Sequence, residues 1–150
     1  MTAKDAFTEQ EWETIREAPV SAGMIVVTAQ KGGTFRETFA MAKAYAEARQ
    51  QHGASELIDT LVAEKPARDH THYHSFDELK QAGLQHVRDA VAALEQKATP
   101  EDVDAYRKFV IALADRVAHA HREHGQEVSQ AEQAAVDEIA AALGSPLAGG

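Results

Sequence analysis

The sequence predicts an all-α fold, on three observations: repeated helix-start patterns, apolar residues at helical spacing, and no strand-like alternation. Four segments have the Ser/Thr-x-x-Glu spacing of a capping box, in which the hydroxyl accepts from a free backbone N–H and the glutamate reaches back to the cap residue. A fifth start has a threonine before proline, which is favoured at the first helical position. The starts are Thr8 with Glu11, Thr34 with Glu37, Ser75 with Glu78, Thr99 with Pro100 and Asp102, and Ser129 with Glu132.

The N-terminal half is predicted to contain four helices, over residues 9–17, 19–31, 35–52 and 55–64. At the first start, Phe7 and Trp12 have the spacing of a hydrophobic staple. The next segment is apolar nearly all round, from Val20 through Met24 and Ile25 to Val27, which predicts a buried central helix. Gly23 within it indicates close contact with another helix, because glycine otherwise destabilises a helix interior. A shorter stripe follows at Phe35, Phe39, Ala42, Ala46 and Arg49.

The C-terminal half is predicted to contain helices over 76–97, 100–124 and 130–143. The first two have apolar seams with 3-4 spacing and a short turn between them, so we expect a long antiparallel helix hairpin. The first seam consists of Phe76, Leu79, Gly83, Val87, Ala90 and Leu94, and the second of Val103, Tyr106, Val110, Leu113, Val117, Ala120 and His124. Leu84 and Val91 lie off the seam and would permit a homodimer.

The boundaries of the helices are marked by glycines at positions where helix C-termini favour them, namely Gly32, Gly53, Gly125 and Gly144. These elements give one helical domain over residues 1–150, a bundle of six to seven helices. Residues 1–6 and 145–150 are expected to be flexible, and residues 65–74 form an exposed connection.

The composition excludes several functional classes. The net charge is −9, with 15 Lys and Arg scattered among 24 acidic residues, so the chain lacks the basic face that binding to nucleic acid requires. It contains no cysteine, which excludes disulfides, thiol catalysis and thiolate metal sites. The longest apolar stretch, residues 18–29, is too short to span a bilayer, and no export signal is visible. We therefore expect a cytoplasmic protein.

Histidine is the compositional exception, with eight in the chain. Three of them occupy every second position in the loop before the long hairpin, and another three lie near the end of the second helix of the hairpin. Because the hairpin returns the chain to its starting end, the two groups are expected to approach each other. Imidazole is a common ligand of zinc, so a site for Zn²⁺ or another divalent cation is one hypothesis. The other is a solvated loop and histidines favoured by the dipole at a helix end, with no ligand bound. The candidate ligands are His70, His72, His74, Asp115, His119, His121 and His124.

Motifs of known catalytic sites are absent from the sequence. It has no His-Glu-x-x-His segment, no G-x-x-x-x-G-K phosphate loop, and no Glu-x-x-His pair of the kind found in di-iron helical bundles. The three tyrosines are not visibly paired with a base. No catalytic residue and no organic cofactor are therefore predicted, and the sequence favours a protein that is not an enzyme.

An internal echo links the two halves of the chain, each with an apolar helix, a glycine turn and a capping box. The segments run from Glu11 to Gly33 with Thr34 and Glu37, and from Gly125 to Ser129 and Glu132. This pattern resembles the TerB-like bacterial helical domains, named for tellurite resistance. The acidic turn residues of that family are replaced here by Gln30-Lys31 and by His124. The resemblance implies an all-α cytoplasmic accessory protein of a stress or membrane-associated assembly.

Three functional hypotheses follow from the sequence. The first is a non-enzymatic interaction or stress-accessory module with a protein partner. The alternative is a protein that binds a divalent metal through the two histidine groups. The third is a pocket between helices that binds an apolar small molecule. The sequence cannot test this hypothesis, because the apolar residues of a helix that line a pocket have the same spacing as those that fill a core.

Overall fold

The computed structural model describes residues 4–29, 35–51, 55–63, 74–120 and 130–144. Within these ranges it contains six α-helices and no strand, which confirms the all-α prediction. A short 3-10 turn, Lys4–Ala6, precedes the first helix. The helices are α1 (Glu9–Ala29), α2 (Phe35–Gln50), α3 (Glu56–Ala63), α4 (Phe76–Lys97), α5 (Pro100–Ala120) and α6 (Gln130–Leu143).

Helix α1 continues through Pro19, so the predicted division into helices 9–17 and 19–31 is wrong. In a regular helix the N–H of residue 19 bonds to the carbonyl of Ile15, but proline has no N–H. The hydroxyl of Tyr106, on α5, donates to that carbonyl at 2.8 Å in a fully buried environment. A side chain from a distant helix thus replaces the missing backbone bond, which the local sequence does not reveal.

Helix α1 lies at the centre of the fold, as its apolar sequence predicts. It packs most extensively on α4 and also contacts α5, α6 and α2. Two glycines allow these close approaches. A Cβ on Gly23 would overlap Met41 Sδ, and a Cβ on Gly83 would lie 2.8 Å from Ile25 Cδ1. The predicted role of Gly23 in close helix contact is therefore confirmed.

The helix starts confirm the predicted cap residues wherever the structure describes them. Glu11 N–H donates to Thr8 Oγ1 at 3.1 Å, and Thr8 N–H donates to Glu11 Oε1 at 2.9 Å. The staple places the rings of Phe7 and Trp12 with centroids 6.0 Å apart. At the other end of the fold, Gly144 has a φ of 74°, the left-handed conformation expected after a helix.

Two further starts also use the predicted caps. Ser75 Oγ accepts from Glu78 N–H at 3.1 Å, and Thr99 Oγ1 accepts from Asp102 N–H at 3.2 Å. The Glu78 carboxylate reaches back to the N–H of His74, one residue before the predicted cap residue. The remaining cap residues and turn glycines lie outside the described residues, as do the two ends of the chain at 1–3 and 145–150. These cap and turn residues are Thr34, Ser129, Gly32, Gly53 and Gly125.

Helices α4 and α5 are the two long helices of the predicted hairpin, and each packs more on α1 than on the other. Their seam residues from Gly83 to Leu94 and from Val103 to Val117 are buried. Phe76, in contrast, is 38% exposed. Leu84 and Val91 are buried within the chain, because α4 is covered by α6 as well as by α1. They are therefore not the exposed apolar residues on which the homodimer prediction depended.

Helix α2 presents a different face to the core than predicted. Ala42, Ala46 and Arg49 of the expected stripe are exposed, whereas Met41 and Tyr45 are buried. The side chains of Phe35 and Phe39 lie outside the described part of the chain. Alanines occur on several faces of α2 and indicate burial poorly, so the two large residues four positions apart decide which face turns inward.

Among the described helices, none is long and apolar enough to cross a membrane.

Candidate binding groove

The histidine groups are only partly within the described residues, which exclude His70, His72, His121 and His124. The other three predicted ligands are exposed or near the surface. His119 Nδ1 lies 2.8 Å from the Asp115 carbonyl oxygen and 3.4 Å from Asp115 Oδ1, a local pair on α5. His74 lies at the start of α4, where its backbone N–H donates to Glu78 Oε2 at 2.7 Å.

Within the described part of the chain, no three or more His, Asp or Glu side chains are grouped so as to hold a metal ion. The two described histidines of the predicted site therefore do not form such a group with their described neighbours. For the four histidines beyond these ranges, the metal site stays a prediction.

The described helices form instead a half-open groove of about 650 Å³ between α2, α3 and α5. This volume lies within the range of about 300–1,000 Å³ that is usual for ligand sites. Its lining is mainly apolar, with small side chains on both α2 and α5. The apolar lining residues are Ala44, Ala48, Ile58, Ala105, Phe109, Ala112 and Leu113.

The floor of the groove is fixed by packing between α2 and α5. The ring of Phe109, half-buried, meets the ring of Tyr45 edge-on, with centroids 5.2 Å apart. The Tyr45 hydroxyl is buried and has no hydrogen-bond partner among the described atoms. Burial raises the pKa of Tyr45 far above its ordinary value, against the opposing fields of Arg16 and Arg49. Tyr45 is thus a neutral packing residue, unsuited to serve as a base.

Helix α3 completes the groove together with α2 and is anchored at both ends. Ser55 Oγ accepts from Ile58 N–H at 3.3 Å and so caps the helix, while its own O–H donates to the buried Asp102 Oδ1 at 2.8 Å. At the other end, Arg49 Nε donates to the Val62 carbonyl at 2.6 Å. The sequence predictions missed Ser55 as a cap, although a serine directly before a helix is the usual signal.

The two sides of the groove carry charges of different sign. The side formed by α2 and α3 has two acidic lining residues, Glu47 and Asp59. The α5 side has two basic residues, Lys108 and Arg116, and one acidic residue, Asp115, which pairs with His119. Lys108 also forms an exposed ion pair with Asp104, one turn earlier on α5, at 3.0 Å, and such a pair contributes little to stability. An ion pair between Arg116 and Glu47 crosses the groove.

The described serine and histidine that line the groove are bonded within the fold. The hydroxyl of Ser55 is engaged by Asp102 and by the backbone of α3, and no described histidine is hydrogen-bonded to it. His119 faces its own helix through the Asp115 carbonyl. A nucleophile activated by an adjacent base therefore does not occur among the described lining residues.

Comparisons with family models, with curated proteins and with solved structures find no match for this chain. The interpretation of the groove therefore depends on its own shape and chemistry. Sequence patterns missed it because Phe109 and Ile58 look like core residues in their helices. The available signal was the repeated alanines on facing helices, at positions 44 and 48 and at 105 and 112.

Proposed function

We propose that the protein is a non-enzymatic interaction module that binds an apolar-faced segment of a partner protein in the groove between α2, α3 and α5. The observation that carries the proposal is a half-open groove with an apolar floor and charged sides. On α5 the lining extends from Ala105 to His119, about 21 Å at 1.5 Å per residue. Small molecules usually bind in sites that bury most of their surface, whereas a long open groove suits a chain segment.

Two further observations support an interaction module over an enzyme. The described hydroxyl and tyrosine groups near the groove are engaged in structural bonds or held neutral by burial. The resemblance of the glycine turns and capping boxes to TerB-like domains also favours an accessory protein without catalytic activity.

Binding requires only a small rearrangement at the groove. The ion pair between Arg116 and Glu47 crosses the opening, and both side chains are well exposed, at 38% and 48%. Exposed pairs of this kind contribute about 1 kcal/mol or less. A partner segment can therefore displace the pair at little cost and offer each residue a new partner.

The test uses a displayed library of helical and extended peptides, selected on the wild-type protein. Ala112→Arg places a long charged side chain in the groove at an exposed position, so the fold should tolerate it. Ala92→Arg is the matched control, because Ala92 is an exposed alanine in α4 that does not line the groove. Selected peptides should bind wild type and Ala92→Arg alike and bind Ala112→Arg about tenfold or more weakly.

Mapping of the bound peptide completes the test. Chemical-shift changes should concentrate at the groove-lining residues of α2, α3 and α5. Peptides that bind Ala112→Arg as tightly as wild type would place the interaction elsewhere. If the library yields no binder and an aliphatic anion such as laurate is retained instead, the proposal is wrong and the small-molecule pocket is favoured.

A further inference from the structure

We infer that the segment bound in the groove is an amphipathic α-helix whose apolar stripe has acidic residues along one flank and basic residues along the other. This inference rests on the proposed function and specifies its partner. It follows from three properties of the groove: the charges of its sides, the size of its lining residues, and the secondary structure around it.

The charges of the two sides of the groove are complementary to a helix with split flanks, that is, with acidic residues along one flank of its apolar stripe and basic residues along the other. Lys108 and Arg116 are two helical turns apart on α5, about 12 Å, so acidic residues seven or eight positions apart on a parallel or antiparallel helix would face both. Opposite them, Glu47 and Asp59 would face basic residues on the other flank. A helix with flanks of one sign would pair with one side and place like charges against the other, which is unfavourable.

The small residues of the groove suit a helix in particular. Ala44 and Ala48 on α2 and Ala105 and Ala112 on α5 are short enough for another helix to lie against them at the usual interaxial distance of about 8–10 Å. The larger apolar side chains that line the groove beside these alanines are Ile58, Phe109 and Leu113. Such a surface receives apolar anchors at the i, i+3, i+4 and i+7 positions of a docked helix.

The groove does not meet the requirements of two other modes of peptide recognition. Addition of a strand needs an exposed sheet edge, and the described ranges contain no strand. Recognition of polyproline segments needs a groove lined by several aromatic residues, and Phe109 is the single aromatic side chain among those lining this groove.

The charge split also sets the direction of the docked helix. Turning the helix end for end, with its apolar stripe kept on the groove, exchanges its left and right flanks. A peptide with exchanged flanks should therefore still bind, but in the opposite direction.

The experiment compares four peptides of about 14 residues, the length of helix that matches about 21 Å of groove. All share one apolar stripe and a hydrocarbon staple on the outer face. Two have split flanks in opposite arrangements, one has two acidic flanks, and one has two basic flanks. Each carries a spin label at its N-terminus. At about 0.15 M salt, which screens the long-range attraction between the acidic chain and a basic peptide, both split peptides should bind the protein about tenfold more tightly than either uniform peptide.

The spin label reports direction. For one split peptide it should broaden amide resonances near Ala105, and for the other those near His119. A double variant, Glu47→Arg with Arg116→Glu, keeps the ion pair but reverses the charges at one end of the groove. It should weaken both split peptides and abolish their preference for one direction, whereas Ala92→Arg should change neither property.

The outcomes separate the two proposals. Equal binding of split and uniform peptides in the groove would overturn the charge-split helix and leave the proposed function standing. Failure of all four peptides, together with an empty library selection, would overturn both. Self-association of the wild type that is lost in Ala112→Arg, without peptide binding, would assign the groove to a second copy of the chain and overturn the inference.

Discussion

Tyr106 contributes to the fold through both its ring and its hydroxyl. It is fully buried on α5, and burial raises its pKa well above the ordinary value, so the hydroxyl stays protonated and can donate. Its acceptor is the Ile15 carbonyl, whose helical partner is removed by Pro19. A buried carbonyl without a partner is costly, and this bond allows α1 to remain one helix.

Removal of this hydroxyl should reveal its dependence on the proline. Tyr106→Phe leaves the Ile15 carbonyl buried and unpaired, so we expect a loss of about 1–3 kcal/mol in the free energy of unfolding. In a Pro19→Ala background the alanine N–H can bond to Ile15, and the same substitution should cost much less. Urea unfolding of the four proteins gives the coupling energy. An equal loss in both backgrounds would contradict this explanation.

For single residues, the sequence predicts which side chains are buried better than it predicts their hydrogen-bond partners. The seam on α5 correctly predicted that Tyr106 faces the core. Its bond to Ile15 joins residues 91 positions apart and depends on how α1 and α5 are arranged in space. The local rule that proline interrupts a helix was consequently misleading at Pro19.

Among the elements, the helix starts were predicted well and the buried face of α2 was not. The caps at Thr8, Ser75 and Thr99 are formed with residues three positions away, so the local sequence contains all that they require. The face of α2 depends on which neighbour covers it. Exposed Ala46 and half-buried Ala44 are chemically the same, and only the tertiary arrangement distinguishes them.

The contact between α1 and α4 gives a test at the scale of elements. Alanine normally stabilises a helix interior by about 1 kcal/mol over glycine, but a Cβ on Gly83 would lie 2.8 Å from Ile25 Cδ1. Overpacking of this kind costs about 1–3 kcal/mol. Gly83→Ala should therefore lower the free energy of unfolding by about 1 kcal/mol, measured by chemical denaturation.

The control for Gly83→Ala is the variant that makes room for the new methyl group. Ile25→Val removes Cδ1, so adding Gly83→Ala to it should be neutral or stabilising. If Gly83→Ala already stabilises the wild-type protein, the two helices adjust more easily than their close packing indicates.

In the whole molecule, the helices differ in how firmly they are held. Helix α1 contacts α4, α5, α6 and α2, whereas α3 has eight residues and packs mainly on α2 and α5. A helix so short is not stable alone, and it relies on its anchors at Ser55 and Val62. The groove lies beside this least supported helix. The alanines of α2 and α5 were a signal in the sequence, but they could not locate the groove, because half-covered residues such as Ile58 are produced by the assembly of three helices.

This arrangement predicts a hierarchy of amide hydrogen exchange. Amides of α1 should exchange only through global unfolding, and those of α3 through a local opening of lower free energy. A peptide in the groove binds only the closed form, so it should slow exchange in α3. The free energy of the local opening should rise by up to about 2.7 kcal/mol when the free peptide is at a hundredfold excess over Kd. Native-state exchange followed by NMR, with and without a selected peptide, measures both free energies.

Ser55→Ala separates the local opening from global stability. It removes the cap of α3 and the hydroxyl donor to the buried Asp102, so α3 should exchange faster while α1 changes less. Equal exchange free energies in α1 and α3 of the wild type would show that the molecule opens as one unit. A bound peptide that protects α1 but leaves α3 unchanged would mean that α3 takes no part in binding, although it forms one side of the groove.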